Sequence, residues 1–372
     1  MLLSAALIVR NEGAVLQACL SSLANLVDEI VVVDTGSTDA AVEIANACGA
    51  SVHEFSWTDD FSAARNHALD RAHGDWILSI DADEHVRSGS WPTVREQLSD
   101  ASHVAYRVLL RPRTGFTACW ALRLFRNHRS IRFRGIIHES VWPDIHDYRA
   151  AWGGKIGQSG LTLDHEGYEG DQQRKHERNL PLLRRALRED PTSLYCWCHF
   201  ADIQGALGRD RLAERAWKKA VALVRQKAVV RRTDSLPYTG FIQWSSMRGC
   251  DVEALLAEAM ERFPYNLQLT WLRGRTLMSA GKFTEAIPFF ERLVECGRTG
   301  EVDHATAYDE RIFDTSSYES LATCYFRLGR YAESRDYYEL AARGEPARLE
   351  YRVKQALCSR LLETQSAGAG TS

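Results

Sequence analysis

No stretch of the sequence is apolar over the roughly 18 residues that a membrane-crossing helix needs, so we expect no transmembrane segment. An excess of one charge is also missing, because 46 lysines and arginines face 49 aspartates and glutamates. The resulting net charge of −3 gives no reason to expect binding to nucleic acid or to a lipid surface. Composition alone therefore favours a soluble globular protein.

Regular cysteine spacing is absent as well. The nine cysteines are odd in number and scattered, which argues against a disulfide framework and for a reducing, cytoplasmic compartment. The closest pair is Cys196 and Cys198, whose side chains would diverge on a helix. We expect buried thiols at these two positions rather than a metal site.

A glycine-rich dinucleotide-binding turn does not follow the first predicted strand. Residues 4–9 run into Arg10-Asn11-Glu12-Gly13 and not into Gly-x-Gly-x-x-Gly, the turn that brings backbone close to a pyrophosphate. We therefore do not expect nicotinamide chemistry. We interpret residues 4–9 as a buried strand rather than as part of a signal peptide.

The first half of the chain does contain a repeated alternation of strand and helix. Apolar and β-branched segments predict strands at 4–9, 29–34, 50–55 and 76–80, and amphipathic segments predict helices at 15–26, 40–48 and 61–69. Alternation of this length predicts a parallel sheet covered by helices. Since the chain has 372 residues, a second domain is expected after it.

Two carboxylates, Asp81 and Asp83, follow the strand that begins at Trp76. The carboxyl ends of parallel strands are where open α/β sheets bind ligands. Paired carboxylates at such a place suit a hard divalent cation that also takes phosphate oxygens. The sequence therefore predicts a site for a metal and a diphosphate at this strand end.

Three motifs occur in order along the first half: Val33-Asp34-Thr35-Gly36-Ser37-Thr38-Asp39, Phe61-Ser62-Ala63-Ala64-Arg65-Asn66 and Asp81-Ala82-Asp83-Glu84. In this order and spacing they resemble the family 2 glycosyltransferases of the GT-A fold, over about the first 165 residues. The resemblance implies a Rossmann-like α/β domain with a mostly parallel sheet and flanking helices. It also implies sugar transfer from a nucleotide-sugar, in the first place a UDP-sugar, with Mn²⁺ or Mg²⁺ as cofactor.

The resemblance assigns a role to individual residues of the three motifs. Asp34 would read the uracil or ribose, Arg65 would contact the nucleotide or diphosphate, and Asp83 would ligate the metal. Asp81 would hold the ribose or a metal-bound water, and Asp39 would cap the next helix. The predicted donor-binding set is Asn11, Glu12, Asp34, Arg65, Asn66, Asp81 and Asp83. The residues alone leave simpler roles open: turn or cap for the aspartates and a surface ion pair for Arg65.

Three later residues match positions that follow the metal motif in GT-A enzymes. Gly135 matches a loop glycine, and Glu139 matches an acidic catalytic residue. His165 matches a histidine that completes the metal site, so the predicted ligands are Asp81, Asp83 and His165. Inverting transfer needs a base for the acceptor proton, and Glu139 is the candidate. His138 competes as base or ligand, because a neutral imidazole can serve as either near pH 7. A structural role is the alternative for both histidines. The glutamate–aspartate pair common in the family is not found here, which leaves the base open.

A one-sided run of charge lies between His103 and His138, with eight arginines and no aspartate or glutamate. Such a run suggests a nearby anion, the diphosphate or the acceptor. Residues 121–126 and 131–134 also alternate as strands with one polar face would. The pattern does not choose among the arginines, which are Arg107, Arg111, Arg113, Arg123, Arg126, Arg129, Arg132 and Arg134.

The second half of the chain repeats a tetratricopeptide-like pattern of large, small, glycine, alanine and aromatic residues. It occurs at Trp197, Ala201, Gly208, Ala213, Trp217 and Ala220, degenerately around Gly249 and Ala254, at Gly274, Gly281, Ala286 and Phe290, and most fully from Tyr318 to Pro346. About four helical hairpins are expected, with residues 296–314 as an inserted loop. The predicted divisions are a GT-A domain at 1–168, a linker helix at 169–192, repeats at 193–362 and a disordered tail at 363–372.

Together these features predict an inverting, metal-dependent glycosyltransferase that acts on a hydroxyl or thiol. The architecture is similar to that of bacterial enzymes that glycosylate peptides or proteins, including peptide S-glycosyltransferases. In those the repeats bind the acceptor or form a dimer. A saccharide acceptor, as in lipopolysaccharide or capsule synthesis, is the close alternative. An inactive repeat scaffold and a nucleotide-sugar-binding regulator without transfer are the alternatives from other classes.

Overall fold

The computed structural model describes residues 2–112, 115–165 and 172–369, and the chain divides into two compact units, residues 1–213 and 214–372. We call these the first and the second unit. The first unit extends past the predicted domain end at residue 168 and includes two further helices. Residues 169–171 of the predicted linker lie outside the described residues.

An eight-stranded sheet forms the centre of the first unit, in the order β3-β2-β1-β4-β7-β6-β8-β5. Strand β1 pairs in parallel with β2 and β4, and β2 pairs in parallel with β3, as predicted. Strand β7 is antiparallel to β4, so the sheet is mixed beyond that point. The predicted α/β class is confirmed. The strands are β1 (Leu3–Val9), β2 (Glu29–Asp34), β3 (Ser51–Glu54), β4 (Trp76–Ser79), β5 (Glu84–Ser88), β6 (His103–Pro112), β7 (Cys119–Arg126) and β8 (Lys155–His165).

Helices cover both faces of this sheet. Alternate residues of β4 enter different apolar clusters: Trp76 and Leu78 pack on one face, and Ile77 packs on the other. A strand buried on both faces reads as a continuous apolar run, which is why β4 was evident from the sequence. The helices of this unit are α1 (Gly13–Leu23), α2 (Ala41–Ala47), α3 (Phe61–Leu69), α4 (Trp91–Ser99), α5 (Trp142–Trp152), α6 (Gln172–Glu189) and α7 (Leu194–Ala206).

The predicted strand at residues 131–134 is wrong. Side chains satisfy the backbone of this segment, so it needs no neighbouring strand. The Asn66 amide both donates to the carbonyl of Phe133 and accepts from its N–H, at 3.0 and 2.8 Å. The Arg132 N–H donates to Asp144 at 2.8 Å. Only an isolated bridge between Arg134 and Ser140 keeps strand-like pairing here.

Helical hairpins make up the second unit, and the predicted all-α second half is confirmed. Gly281 and Gly329 occupy the left-handed region between paired helices, at φ 74° and 73°, where glycine carries no steric penalty. The helices are α8 (Asp210–Arg225), which begins just before the unit, α9 (Leu236–Ser246), α10 (Glu253–Arg262), α11 (Leu267–Ser279), α12 (Phe283–Thr299), α13 (Thr315–Arg327), α14 (Tyr331–Gly344) and α15 (Leu349–Ala369).

Two parts of the second unit are more ordered than the sequence suggested. Helix α12 continues to Thr299, and the following residues Tyr308, Ile312 and Phe313 are buried in an apolar cluster, so 296–314 is not simply a loop. Helix α15 continues to Ala369, into the predicted tail.

All nine cysteines are unpaired. Among the described residues, no helix has both the length and the apolar character needed to cross a membrane.

Gly240 of α9 packs closely against the ring of Trp217 in the second unit. A Cβ at this position of α9 would lie 2.3 Å from the end of the buried Trp217 ring. Overpacking of this kind costs about 1–3 kcal/mol, while the gain in helix propensity from glycine to alanine is about 1 kcal/mol. We expect Gly240→Ala to lower the free energy of unfolding by about 1–2 kcal/mol, measured by urea denaturation. Ser246→Ala, at an exposed position of the same helix, is the neutral control. An unchanged midpoint for Gly240→Ala would mean that Trp217 can shift.

Candidate active site

The segment after β4 folds back on itself through Glu84. The Glu84 N–H donates to the carbonyl of Asp81, and the Glu84 carboxylate accepts the Asp81 N–H at 2.9 Å. The Glu84 side chain is 1% exposed, and this burial raises its pKa although Arg123 opposes the shift. Glu84 therefore supports the turn that carries Asp81 and Asp83 rather than facing solvent.

Asp81 is held between two arginines. Its Oδ1 accepts from Arg65 at 2.5 Å and its Oδ2 from Arg123 at 2.8 Å, and Arg123 also reaches Glu84 at 2.5 Å. Burial by itself would raise the pKa of Asp81, but the two guanidinium groups outweigh it and hold that pKa well below its usual range. Both oxygens of an ionised Asp81 are thus engaged by cations.

Arg65 links this cluster to the candidate base. Its Nη2 donates to Asp81 and its Nε donates to Oε1 of Glu139, which lies just before α5. Both members of the Arg65–Glu139 pair are nearly buried, with side chains 11% and 10% exposed. The remaining nitrogen, Nη1, is buried without a hydrogen-bond partner. A contact of Arg65 with a diphosphate stays a prediction, because Asp81 and Glu139 engage two of its nitrogens and the third is buried.

Asp83 and His165 come together where β5 begins and β8 ends, since Asp83 directly precedes Glu84, which pairs with His165. The Nε2 of His165 lies 3.0 Å from Oδ2 of Asp83, and this hydrogen bond raises the pKa of His165. The described residues contain no group of three carboxylate, histidine or cysteine side chains arranged for a metal. Of the three predicted metal ligands, Asp83 and His165 are hydrogen-bonded to each other, whereas Asp81 binds Arg65 and Arg123. A carboxylate and an imidazole fit a divalent cation that takes its other ligands from phosphate and water.

The loops after β1 and β2 are tied to one another. Asp34 is 7% exposed and accepts the N–H groups of Gly36 and Ser37, each at 3.1 Å, as a turn residue does. Asn11 has φ 57°, and its side chain accepts the Thr38 N–H at 2.7 Å. Both predicted donor residues therefore shape the rim of the strand ends, and a base or ribose contact by Asp34 stays a prediction.

Two other predicted donor residues are placed differently. Asn66 has both ends of its amide engaged by the Phe133 backbone, so it holds that segment instead of facing a donor. Glu12 is partly buried, and this burial together with the negative charge of Asp83 raises its pKa. Glu12 thus belongs to the electrostatic surroundings of Asp83.

The predicted capping residue Asp39 accepts the N–H of Ala41, the first residue of α2, at 3.1 Å.

His138 does not join the metal or the acidic cluster. Its ring stacks on His199 at 4.1 Å and meets Tyr195 edge-on at 4.8 Å, both of them on α7. Burial, with a smaller contribution from His199, lowers the pKa of His138 to about 3. Such an imidazole is a weak proton acceptor near pH 7. The structure therefore opposes His138 as base or ligand and leaves Glu139 as the candidate.

Arg123 and Glu84 are the site residues that sequence reasoning missed. The sequence does not rank Arg123 among the eight arginines of its run, and it assigns no role to Glu84 in the motif Asp81-Ala82-Asp83-Glu84. Other arginines of the run have structural partners: Arg126 packs over Trp76, Arg132 pairs with Asp70 and Arg134 with Asp144. Arg113 lies outside the described residues. What distinguishes Arg123 from Arg126 on the same strand is the register: Leu124 pairs with Leu78, so Arg123 lies toward the end of β4 that leads into Asp81, whereas Arg126 pairs with Trp76 at the start of β4.

Family models match both halves of the chain. Residues 4–149 match the model of glycosyl transferase family 2, and residues 253–301 and 315–346 match models of the tetratricopeptide repeat. The predicted arrangement, an N-terminal domain of this family followed by repeats, is confirmed.

Two curated relatives and one solved structure illustrate the likeness. A TPR repeat-containing protein of Synechococcus elongatus is 33% identical over 61% of this chain and 58% of its own length. The glycosyltransferase SunS of Bacillus subtilis is 26% identical over 58% of this chain and 52% of its own length. The chain thus spans little more than half of each relative. Glucosyl-3-phosphoglycerate synthase of Mycobacterium tuberculosis has a TM-score of 0.39 and 18% identity, over 50% of this chain and 79% of that one.

Proposed function

We propose that this chain, which carries a family 2 glycosyltransferase domain at residues 4–149 followed by tetratricopeptide repeats, transfers a sugar from a UDP-sugar to a hydroxyl or thiol acceptor. The observation that carries the proposal is the convergence of two carboxylate sites at one edge of the sheet. Asp83 with His165 offers a place for a cation and diphosphate. Beside it, Arg65 connects Asp81 to Glu139, an acidic group fit to take a proton.

The proposed reaction is a single displacement with inversion. The acceptor oxygen or sulfur forms a bond to the anomeric carbon while the bond from that carbon to the diphosphate oxygen breaks. Glu139 takes the acceptor proton as this happens. Asp83 and His165 would hold a divalent cation, Mn²⁺ or Mg²⁺, which when bound offsets the charge of the leaving diphosphate. Arg65 would keep the Glu139 carboxylate in place.

The acceptor is proposed on architecture alone. Short helical solenoids bind extended segments or other subunits, so a peptide or protein acceptor, or a homodimer formed through the repeats, suits the second unit. A saccharide acceptor remains the alternative within the same reaction. We also propose a cytoplasmic location, because nine scattered cysteines are typical of a reducing compartment.

The first experiment measures donor binding and donor use. Isothermal titration with UDP in the presence and absence of Mn²⁺ tests the cation–diphosphate site. UDP-, GDP- and TDP-sugars are then screened for nucleotide release with peptide and saccharide acceptors. Tight binding of UDP with no release from any donor would favour the regulator, and failure to bind UDP at all would favour the scaffold.

Asp83→Ala tests the cation site directly. We expect loss of Mn²⁺-dependent UDP binding and a drop in turnover of about 10²-fold or more, because a metal's charge stabilisation amounts to several kcal/mol. Circular dichroism should show an unchanged fold, since Asp83 is partly exposed at a strand end. Asp147→Ala removes an exposed carboxylate of α5 in the same unit and should change neither property. Normal Mn²⁺ dependence in Asp83→Ala would remove the metal assignment.

A further inference from the structure

The short segment before Glu139 adopts a backbone conformation that few residues tolerate. Gly135 and His138 lie in the left-handed region, at φ 101° and 57°. Glycine adopts that region freely, but a histidine does so rarely and only where its surroundings impose it. His138 immediately precedes Glu139, so whatever holds His138 in this conformation also sets the direction in which the Glu139 side chain leaves the backbone.

The ring of His138 is held from one side by α7. His199 stacks on it with a centroid distance of 4.1 Å and an interplanar angle of 26°. Tyr195 meets it edge-on at 4.8 Å and 83°, and also contacts His199 at 4.3 Å. Tyr195 and His199 are one turn apart on α7 and therefore share a face. The three rings form a compact aromatic clamp, which we define as His138, Tyr195 and His199.

Electrostatics permits this stack at neutral pH. Burial lowers the pKa of His138 to about 3, with a smaller contribution from His199, and burial lowers the pKa of His199 to about 4. Both imidazoles are therefore uncharged near pH 7, and Tyr195, which is 50% exposed, keeps its proton there because a phenol ordinarily titrates near pH ~10. Three neutral rings in contact carry no like-charge repulsion.

The same segment is also fixed from the side of α3. The Ile136 carbonyl accepts the N–H of Phe61, the first residue of α3, at 2.8 Å. Ile136 and Ile137 are buried in one cluster with apolar residues of α6 and α7. One turn further along α3, Arg65 binds the Glu139 carboxylate. Glu139 is thus placed by α3 through its side chain and by α7 through the residue before it.

We infer that Tyr195 and His199 of α7 are positioning residues for Glu139, which they orient by clamping the ring of His138. The inference rests on the proposed role of Glu139 as base. It assigns α7, which the sequence pattern places among the repeats, to the catalytic machinery of the first unit. The residues act through His138 and need not touch either substrate.

Two substitutions at His138 distinguish the effect of losing its ring from the effect of its strained backbone conformation. His138→Gly keeps the left-handed conformation without strain but removes the ring, whereas His138→Ala removes the ring and keeps the strain. A displacement of about 1 Å at a catalytic group can cost on the order of 10²-fold. We expect both variants to lower kcat by about 10- to 100-fold with UDP affinity unchanged. Normal kcat in His138→Gly would overturn the inference.

Two substitutions at His199 of α7 compare loss of the stacking ring with its replacement by another flat ring. His199→Ala removes the stacking ring and should lower kcat to a similar extent, while His199→Phe retains a flat ring and should keep most of the activity. The KM for the donor should stay constant in both. His146→Ala, at an exposed histidine of α5, is the control for removal of an imidazole. Equal kcat in His199→Ala and wild type would overturn the inference.

A measurement independent of catalysis completes the test. Hydrogen–deuterium exchange of peptides covering residues 135–140 should be faster in His199→Ala and normal in His199→Phe, because the clamp restrains this segment. Unchanged exchange in His199→Ala would contradict the clamp even if no donor were turned over. Normal turnover in Glu139→Gln would instead remove Glu139 as the base, and with it the proposed mechanism, while leaving the exchange result intact.

Discussion

Replacing Arg65 by alanine should both destabilise the first unit and abolish most turnover. Among the described residues, Arg65 is the side chain that joins Asp81 to Glu139; the Glu139 side chain is 10% exposed and that of Asp81 is 31% exposed. Removing one partner from a buried ion pair costs about 3–5 kcal/mol, because the charge left behind has lost its solvation and its counter-ion. Asp81 keeps Arg123, which limits the loss on that side. Urea denaturation would measure the change in the free energy of unfolding.

The catalytic effect of Arg65→Ala should be separable from the loss of stability. In the presence of saturating UDP-sugar and at low temperature, the folded variant should still turn over at least about 10²-fold more slowly, because Glu139 loses the donor that fixes its carboxylate. Arg65→Lys keeps the charge but not the forked geometry, so it should be intermediate. Arg95→Ala breaks the half-exposed pair with Asp28 and should alter stability by less than about 1 kcal/mol. Wild-type turnover in Arg65→Ala would show that the bridge is only structural.

Glu139→Gln should lower kcat by about 10²–10⁴-fold, the range for removal of a general base. Glutamine occupies the same space and can still accept from the Arg65 guanidinium, so the fold and the UDP affinity should be retained. Titration with UDP and steady-state nucleotide release measure the two quantities.

Other outcomes for Glu139→Gln have defined meanings. A loss of UDP binding with kcat preserved would place Glu139 in the donor site. A loss of both, reversed by neither donor nor Mn²⁺, would show that Glu139 serves as the counter-ion of Arg65. Glu139→Asp, which keeps the charge but shortens the side chain, should recover little activity if the position of the carboxylate is what counts.

The strands and helices that the sequence predicts correctly are those that depend on a local pattern of residues close together in the chain. The strand and helix alternation placed β1, β2 and β4 within about two residues of their observed bounds, because each is a short apolar run between polar turns. The hairpins of the second unit were predicted for the same reason, since small and aromatic residues recur at helical spacing. Residues 131–134 failed this test because their backbone is satisfied by Asn66 and Asp144, which no local pattern reveals.

The roles of the histidines and arginines could not be predicted locally. His138 looked like a base or a ligand from its position beside Glu139, yet its neighbours are two rings of α7 about 60 residues further along the chain. Arg123 looked like one of several strand arginines, yet it directly precedes Leu124, which pairs with Leu78 near the end of β4 that leads into Asp81. Burial then decides the protonation of His138, and burial is a property of the packed chain.

The sequence by itself determined that two carboxylates, Asp81 and Asp83, stand at the end of a buried parallel strand, because strand formation and its end are local. Only the tertiary structure decided what each carboxylate does. Asp81 meets Arg65 and Arg123 across 16 and 42 residues, while Asp83 meets His165 across 82. The two carboxylates, with one residue between them, took different partners because of strand pairing. Strand β7, which carries Arg123, lies beside β4, whereas β5, which begins directly after Asp83, pairs with β8 so that Glu84 lies opposite His165.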